Sequence, residues 1–252
     1  FSATVDYTDI KITNLVQSYT SSVIQANCLA SADAASIWCA KIHRSPLGDL
    51  WTSSEGYIVD PLLNEGDLEN KGIDVGMAYR FDMGSLGRIR SRLDAGYLLK
   101  LLYSPGTGAA YDCAGQFGLT CSAQTPPAPK YRHRLSLDWD TPLTGFSTGL
   151  TWRYFGAVSN SILNPSSPDY KANYGTPPDA RIPTISYIDL RVSYNIDKLT
   201  LRVGANNVAD KDPPIIDTLN DTGNSIYGES NTFPSLYDSL GRYIYANFTI
   251  DF

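Results

Sequence analysis

Tyr243-Ile244-Tyr245-Ala246-Asn247-Phe248-Thr249-Ile250-Asp251-Phe252 is the stretch that decides the fold. Counting back by twos from Phe252 gives Ile250, Phe248, Ala246 and Ile244, while the other face carries Asp251, Thr249, Asn247, Tyr245 and Tyr243. Strand side chains alternate between faces with period two, so this is a strand with one apolar face. A soluble strand rarely runs untrimmed to a terminal Phe, and the membrane question therefore comes first.

At 252 residues the chain has room for one large β domain or two small ones. Tyr is abundant, at 17 against 2 His and 2 Met, and 20 Gly with 15 Pro supply turns. No run of about 18 apolar residues exists, which excludes a membrane-spanning helix but not a transmembrane barrel, whose strands each show only about ten alternating residues. No signal peptide precedes Phe1, and Phe1-Ser2-Ala3-Thr4-Val5-Asp6-Tyr7 opens inside a strand. The expectation is a fragment or processed product. The net charge of -6, with no basic stripe to offset it, argues against a nucleic-acid partner.

The same alternation recurs upstream. Ile73, Val75, Met77, Tyr79 and Phe81 alternate with polar or small residues, as do Ile89, Leu93, Ala95, Tyr97 and Leu99. Tyr131 to Trp139, Phe146 to Tyr154, Ile188 to Ile196 and Leu199 to Ala205 follow the same rule. The count is about eight strands. Their connections alternate in length: Asp82–Gly87, Pro142–Gly145 and Asp197–Lys198 are tight, and long segments lie near 13–66, 104–129, 159–181 and 210–240. Short turns on one edge and long loops on the other describe an antiparallel transmembrane β-barrel, with periplasmic turns and extracellular loops.

Charge assigns the faces. Arg88, Arg90, Arg92, Asp94, Arg132, Arg134, Asp138, Arg153, Asp189, Arg191 and Arg202 share one face with Asp74, Arg80 and Asp140. A mid-membrane Arg or Lys on the lipid face would cost about 2–4 kcal/mol, so these charges are expected in the lumen. Trp139, Trp152, Tyr79, Tyr97 and Tyr154 fall towards strand ends on the opposite face, where aromatic girdles sit. A soluble sandwich would explain the alternation but not the one-sided loops.

Cys28/Cys39 and Cys113/Cys121 form two close pairs in loop-like segments. Three connectivities are possible; local pairing is the simplest, each bridge stabilising its loop by roughly 3 kcal/mol in the chain-entropy model and implying an oxidising compartment. A zinc site does not match the spacing. Ala34–Ile42 reads as a short helix, and Leu50-Trp51 with Gly56–Pro61 as a strand extension or plug-ward flap. Catalytic chemistry is poor: His133 sits on the lipid-facing side, where an interfacial role suits it, and His43 lies beside Arg44 in a loop. Asn220–Asn224 lacks the acidic density of a calcium site and reads as a turn. No enzyme activity, cofactor or metal is expected. Trp38, Trp51, Tyr57, Tyr111, Phe117 and Tyr227 are candidate ligand contacts in loops, with loop packing the competing role.

Leu201-Arg202-Val203-Gly204-Ala205-Asn206-Asn207-Val208-Ala209-Asp210-Lys211-Asp212-Pro213-Pro214 resembles the penultimate strand of TonB-dependent outer-membrane receptors. Tyr237-Asp238-Ser239-Leu240-Gly241-Arg242-Tyr243 running to Phe252 resembles that family's closing strand. Tyr111–Cys121, Pro129–His133 and Leu150–Tyr154 resemble the subgroup with disulfide-bearing extracellular loops. The resemblance implies that residues 1–252 are the C-terminal portion of a 22-stranded barrel whose plug domain and earlier strands are absent here. It implies a bacterial outer-membrane protein importing a scarce nutrient of the siderophore, cobalamin or oligosaccharide class. Implied partners are outer-membrane lipid, the TonB complex through the parent's plug, the small-molecule or oligosaccharide ligand, and the barrel-assembly machinery, for which Phe252 is the C-terminal signal. The alternative is a self-contained eight-stranded barrel acting as an adhesin or structural anchor.

Overall fold

A computed structural model describes residues 1–19, 21–104, 110–118, 121, 126–167, 170, 180–216 and 232–251. Tyr227, Phe252 and the Asn220–Asn224 turn lie outside the described residues. Eight long strands carry the architecture: β1 (Ser2–Gln17), β2 (Leu63–Asp82), β3 (Arg88–Ser104), β4 (Tyr131–Asp140), β5 (Phe146–Phe155), β6 (Ile185–Ile196), β7 (Leu199–Asn206) and β8 (Tyr243–Ile250). They pair in strict sequence order from β1 to β8, and among the described residues no ladder joins the two end strands. The pairings whose registers are resolved, from β3 to β8, are antiparallel.

Register keeps the two faces apart across the sheet. Leu93 lies opposite Leu135, Leu135 opposite Trp152 and Trp152 opposite Ile188. Further along, Val192 meets Val203 and Val203 meets Ala246, while Tyr194 meets Leu201 and Leu201 meets Phe248. A one-residue slip would put every one of these groups among the charges, so each register is strongly specified. The apolar rows are open to the surroundings: Leu190 is 43 % exposed, Val203 46 % and Phe248 72 %. An apolar surface of that extent is far larger than a water-soluble monomer presents, and it fits contact with lipid.

The charged face is internally paired. Arg90 bonds Asp140 at 2.7 Å, Arg92 bonds Asp94 at 2.8 Å, Arg191 bonds Asp138, and Arg88 reaches Asp82 at 3.6 Å. The tight turns lie at one end of these strands. Gly87 (φ 87°) and Gly145 (φ 77°) hold left-handed conformations in the first two, and a Cβ at either would collide with the carbonyl oxygen of Asp140 or Asn195. The third is the two-residue Asp197–Lys198 turn, where Asp197 (φ 51°) takes the left-handed position that Asp tolerates.

Contacts divide the chain into two units, residues 1–10, 70–101 and 111–252, and residues 11–69 and 102–110. In the larger unit the only sizeable buried cluster, among the described residues, joins Ile185 and Tyr187 of β6 to Phe117, Val158, Ile182, Ile216, Phe233 and Tyr237 from the long connections, with Phe155 of β5 against it. Phe155, Ile185 and Tyr187 continue the charged face towards the long-loop end, so the loops fold over that face and bury it there. Three short strands, Gln116–Phe117 from the β3–β4 connection and Val158–Asn160 and Arg181–Ile182 from the β5–β6 connection, tie these two loops into a small sheet. Cys113–Cys121 closes one of them.

In the smaller unit the helix α1 spans Ser21–Ser31, not Ala34–Ile42, where only a 3-10 turn at Cys39–Lys41 forms. Ile24 is fully buried and anchors α1. Past it, Ala32 (φ 50°) breaks the helix, the Asp33 carboxylate accepts the Ala35 amide at 2.9 Å and Ser31 Oγ sits 3.0 Å from Ser36 Oγ. Such local side-chain bonds compete with helix formation. Cys28–Cys39 ties α1 to the 3-10 turn, and Ile42–His43 pairs with Tyr57–Ile58 in the hairpin that carries the expected flap.

In the protein refolded into liposomes, Leu190→Arg should lower stability by about 2–4 kcal/mol, whereas Thr151→Arg on the charged face should cost less than about 1 kcal/mol. Equal costs in chemical unfolding would contradict the face assignment.

Candidate functional site

The most densely bonded group in the larger unit is built around Arg153 near the long-loop end of β5. Its guanidinium forks onto Asp189 of β6 (Nε to Oδ2 2.8 Å, an Nη to Oδ1 2.9 Å) and onto Asp238 of the β7–β8 connection (2.8 and 2.6 Å). The Arg153 group also stacks on the Tyr187 ring, 4.9 Å from its centroid. The Asp238 amide donates to the Tyr187 hydroxyl at 3.2 Å, and Asp189 accepts the Asn207 amide at 2.9 Å. Two bidentate pairs on one arginine fix geometry as well as energy.

A strap of residues 232–241 is thereby fastened down. Phe233 lies edge-on to Phe117 (6.1 Å) and Tyr237 edge-on to Phe155 (6.0 Å), so an aromatic pair anchors the strap at each end of one turn. Asn207, fully buried with φ 51°, accepts the Lys211 amide at 2.9 Å and donates to the Lys211 carbonyl at 2.8 Å. Asp210 accepts the Arg242 amide at 2.8 Å and its guanidinium at 3.3 Å. The Asn-Asn-…-Asp-Lys stretch thus closes both ends of the β7–β8 connection.

Beside the strap lies a cleft of about 450 Å³, whose lining includes Arg134, Arg153, Asp189, Tyr237, Asp238 and Ser239. Arg134 stands directly opposite Asp94 on one side and Arg153 on the other. Asp94 is already held by Arg92 at 2.8 and 3.0 Å, and Arg153 by its two carboxylates. Arg134 is exposed in this lining and interacts electrostatically with the Asp94 carboxylate opposite it. Tyr237 is 1 % exposed, and among the described residues its hydroxyl makes no hydrogen bond. Burial pushes its phenol well above the usual range.

The other expected site residues are placed as follows. Tyr111 is buried with the Cys113–Cys121 bridge and donates to Gln116 Oε1, and Phe117 lies at the centre of the loop cluster. Both pack in this arrangement. In the smaller unit Trp38 is edge-on to Tyr19 (5.2 Å), Tyr57 stacks on His43 (4.4 Å), and Trp51 is 82 % exposed. Arg202 bonds Ser193 Oγ at 3.2 Å on the charged face. His133 is on the apolar face, stacked on Tyr154 (5.1 Å, 2°) and edge-on to Trp152 (4.4 Å), in the aromatic band at the long-loop end. Asp238, Asn207 and Tyr237 were not singled out as site residues; their signal lay in the motifs carrying the family resemblance. Among the described residues no cluster of His, Cys, Asp or Glu could hold a metal ion.

The family model for the TonB dependent receptor-like β-barrel matches residues 1–208. The chain belongs to the TonB-dependent receptor β-barrel family. Its fold likeness agrees: the ferric enterobactin receptor PfeA of Pseudomonas aeruginosa, in a mutant form bound to enterobactin, superposes with a TM-score of 0.57 at 13% identity over 98% of this chain and 29% of that one. A second mutant of the same receptor gives 0.56 at 12% identity over 99% and 29%. The chain therefore spans less than a third of the length of these solved receptors. No curated protein matches it. In this family context the eight strands are a consecutive run of barrel wall, and the strap is a long connection folded over the charged face of that wall.

Two outcomes test the site. Asp238→Ala should free the strap, lowering stability by roughly 3 kcal/mol and opening residues 232–241 to limited proteolysis; an unchanged digestion pattern would show that Arg153 does not hold it. In the first long connection, Asp49 is held below its ordinary 3.8 by the Thr52 hydroxyl, with Ser45 and the Thr52 and Trp51 amides adding to it. A depressed carboxylate stabilises above its unfolded pKa and loses that contribution as pH falls through the folded value. The Thr52 amide shift in nanodiscs should stay constant down to about pH 4.5 and move only below 3.8.

Proposed function

We propose that this chain is the C-terminal part of a TonB-dependent receptor barrel in a bacterial outer membrane, and that the parent receptor imports a scarce nutrient. The observation that carries this reading is the family match across residues 1–208. Two physical features support it. The open apolar rows suit lipid, and the arginine-rich face suits an aqueous lumen holding either a plug domain or a passing solute. Paired order from β1 to β8, with no ladder joining the end strands among the described residues, suits one arc of a larger ring, the plug and remaining strands being supplied by the rest of the receptor.

In this reading the tight turns face the periplasm and the long connections face outward. The loops capture the ligand, of the siderophore, cobalamin or oligosaccharide class, and TonB acts on the parent's plug. The solved receptors of similar fold are described with ferric enterobactin, which places a ferric chelate among the classes to try first. The parent works as a transporter and no residue of this chain is assigned a catalytic role. The aromatic band around His133 sits at the outer interface, and Phe252 serves barrel assembly.

Deleting the parent reading frame should abolish energy-dependent uptake of one labelled nutrient from these classes, and deleting TonB should abolish the same uptake. Unchanged uptake of all three in the deletion strain would overturn the proposal.

A further inference from the structure

We propose that the lumen side of β8, from Tyr243 to Thr249, is a binding strip for a neutral oligosaccharide, with the Tyr243 and Tyr245 rings as its platforms. The proposal rests on the receptor reading above and narrows its three ligand classes to one.

Register puts the strip on the charged face of the wall. Arg191 lies opposite Gly204 and Gly204 opposite Tyr245, while Arg202 lies opposite Asn247. Directly opposed residues share a face, so Tyr243, Tyr245, Asn247 and Thr249 point the same way as the arginines. None of these four carries a charge. On β3 to β6 the same face is built from Arg and Asp that bond one another. The wall thus changes character at its last strand, from ion pairs to aromatic rings, an amide and a hydroxyl.

The two rings are set as surfaces. Tyr243 and Tyr245 stack along the strand, 6.2 Å between centroids and 21° between planes. A Cβ on Gly204 would come 2.5 Å from Cζ and the hydroxyl oxygen of Tyr245, so this ring reclines on the β7 backbone and turns its other side outward. Covering a strand glycine is a packing role that accounts for Tyr245. It does not account for Tyr243, which stands opposite Asn206 and stays 56 % exposed. Tyr243 also lines the cleft beside the strap, together with Asn206 and Ser239.

A pyranose ring has apolar C–H faces and a rim of hydroxyls that both donate and accept. Two nearly parallel aromatic rings in line can each take one such face by weak C–H contact and area burial. Asn206, Ser239 and Asn247 flank them with groups that also donate and accept. Asn247 Oδ1 takes the Thr249 hydroxyl at 3.3 Å, which leaves its NH2 for a solute. The nearest carboxylates, Asp189 and Asp238, are committed to Arg153, and the guanidinium opposite Asn247, Arg202, bonds Ser193 Oγ. A multiply charged chelate would leave most of its charge without a partner along this strip, whereas hydroxyls find theirs.

The test titrates the purified protein in detergent with maltohexaose, cellohexaose, glucose and ferric tris(catecholate), read by calorimetry. At least one of the two hexaoses should bind saturably, and glucose, which can cover only one ring, should bind about tenfold more weakly or not at all. Tyr243→Ala should weaken hexaose binding about tenfold or more, whereas Tyr243→Phe, which keeps the ring, should stay within about twofold. Failure of both hexaoses to bind, glucose binding as tightly as they do, or wild-type affinity in Tyr243→Ala would overturn the strip. Tyr243-dependent binding of ferric tris(catecholate) alone would overturn the sugar assignment. Binding is read without TonB, so a protein that holds the hexaose but imports nothing sinks only the import proposal.

Discussion

A strand that crosses hydrocarbon has to satisfy every backbone N–H and C=O through its neighbours and keep charge off its outer face. No water is available in the bilayer core to repair either failure. The rest of this structure follows from that pair of conditions. Sequential antiparallel pairing satisfies the backbone, tight turns and long connections follow from crossing back and forth, and the strict register from β3 to β8 keeps Leu, Val and Trp on one side and Arg and Asp on the other. No hydrophobic core in the ordinary sense is needed within the span. The larger buried cluster forms instead where the long connections leave the strands and meet the inner face.

The Arg153 group marks the change from one regime to the other. Below it, arginines and aspartates bond pairwise along the wall. Above it, Ile185, Tyr187 and Phe155 occupy the same face and are covered by loop residues. Arg153 serves both sides: it bonds Asp189 within the sheet and Asp238 from the strap, and its charge lies over the Tyr187 ring. A single cation satisfied by two carboxylates can be half-buried at little cost because its donors are all used, and that makes it a suitable fastening for a loop laid over a wet interior.

Much of the fold was legible because its signal is local. Period-two alternation needs only neighbouring residues, so Ile188–Ile196 and Leu199–Ala205 could be assigned to faces without knowing their partners, and charge then said which face meets lipid. Connection lengths gave the two edges in the same way. The helix was less legible. Ala34–Ile42 has favourable propensity, but the Asp33 and Ser31 side chains bond nearby backbone and hydroxyl groups there, whereas Ser21–Ser31 gains a buried Ile24. The site was the least legible part. Arg153 and Asp189 could be placed on one face, yet their meeting with Asp238 depends on a connection of more than thirty residues folding back over β6. Phe117 carries the composition of a ligand contact and is buried against Phe233 of that same connection, while Tyr111 is buried beside the Cys113–Cys121 bridge. Alternation says which face a side chain is on and nothing about what a long loop will lay across it.

The central claim is that one face of each strand meets lipid and the other meets water. Cysteine scanning along β6, from Ile188 to Ile196 in liposomes, tests it most directly, since all four cysteines of this chain are in disulfides. The account predicts that Cys at 188, 190, 192, 194 and 196 is quenched by brominated lipid when labelled and resists a charged aqueous thiol reagent, while Cys at 189, 191, 193 and 195 shows the reverse. Accessibility without period two, or with the two sets exchanged, would contradict it.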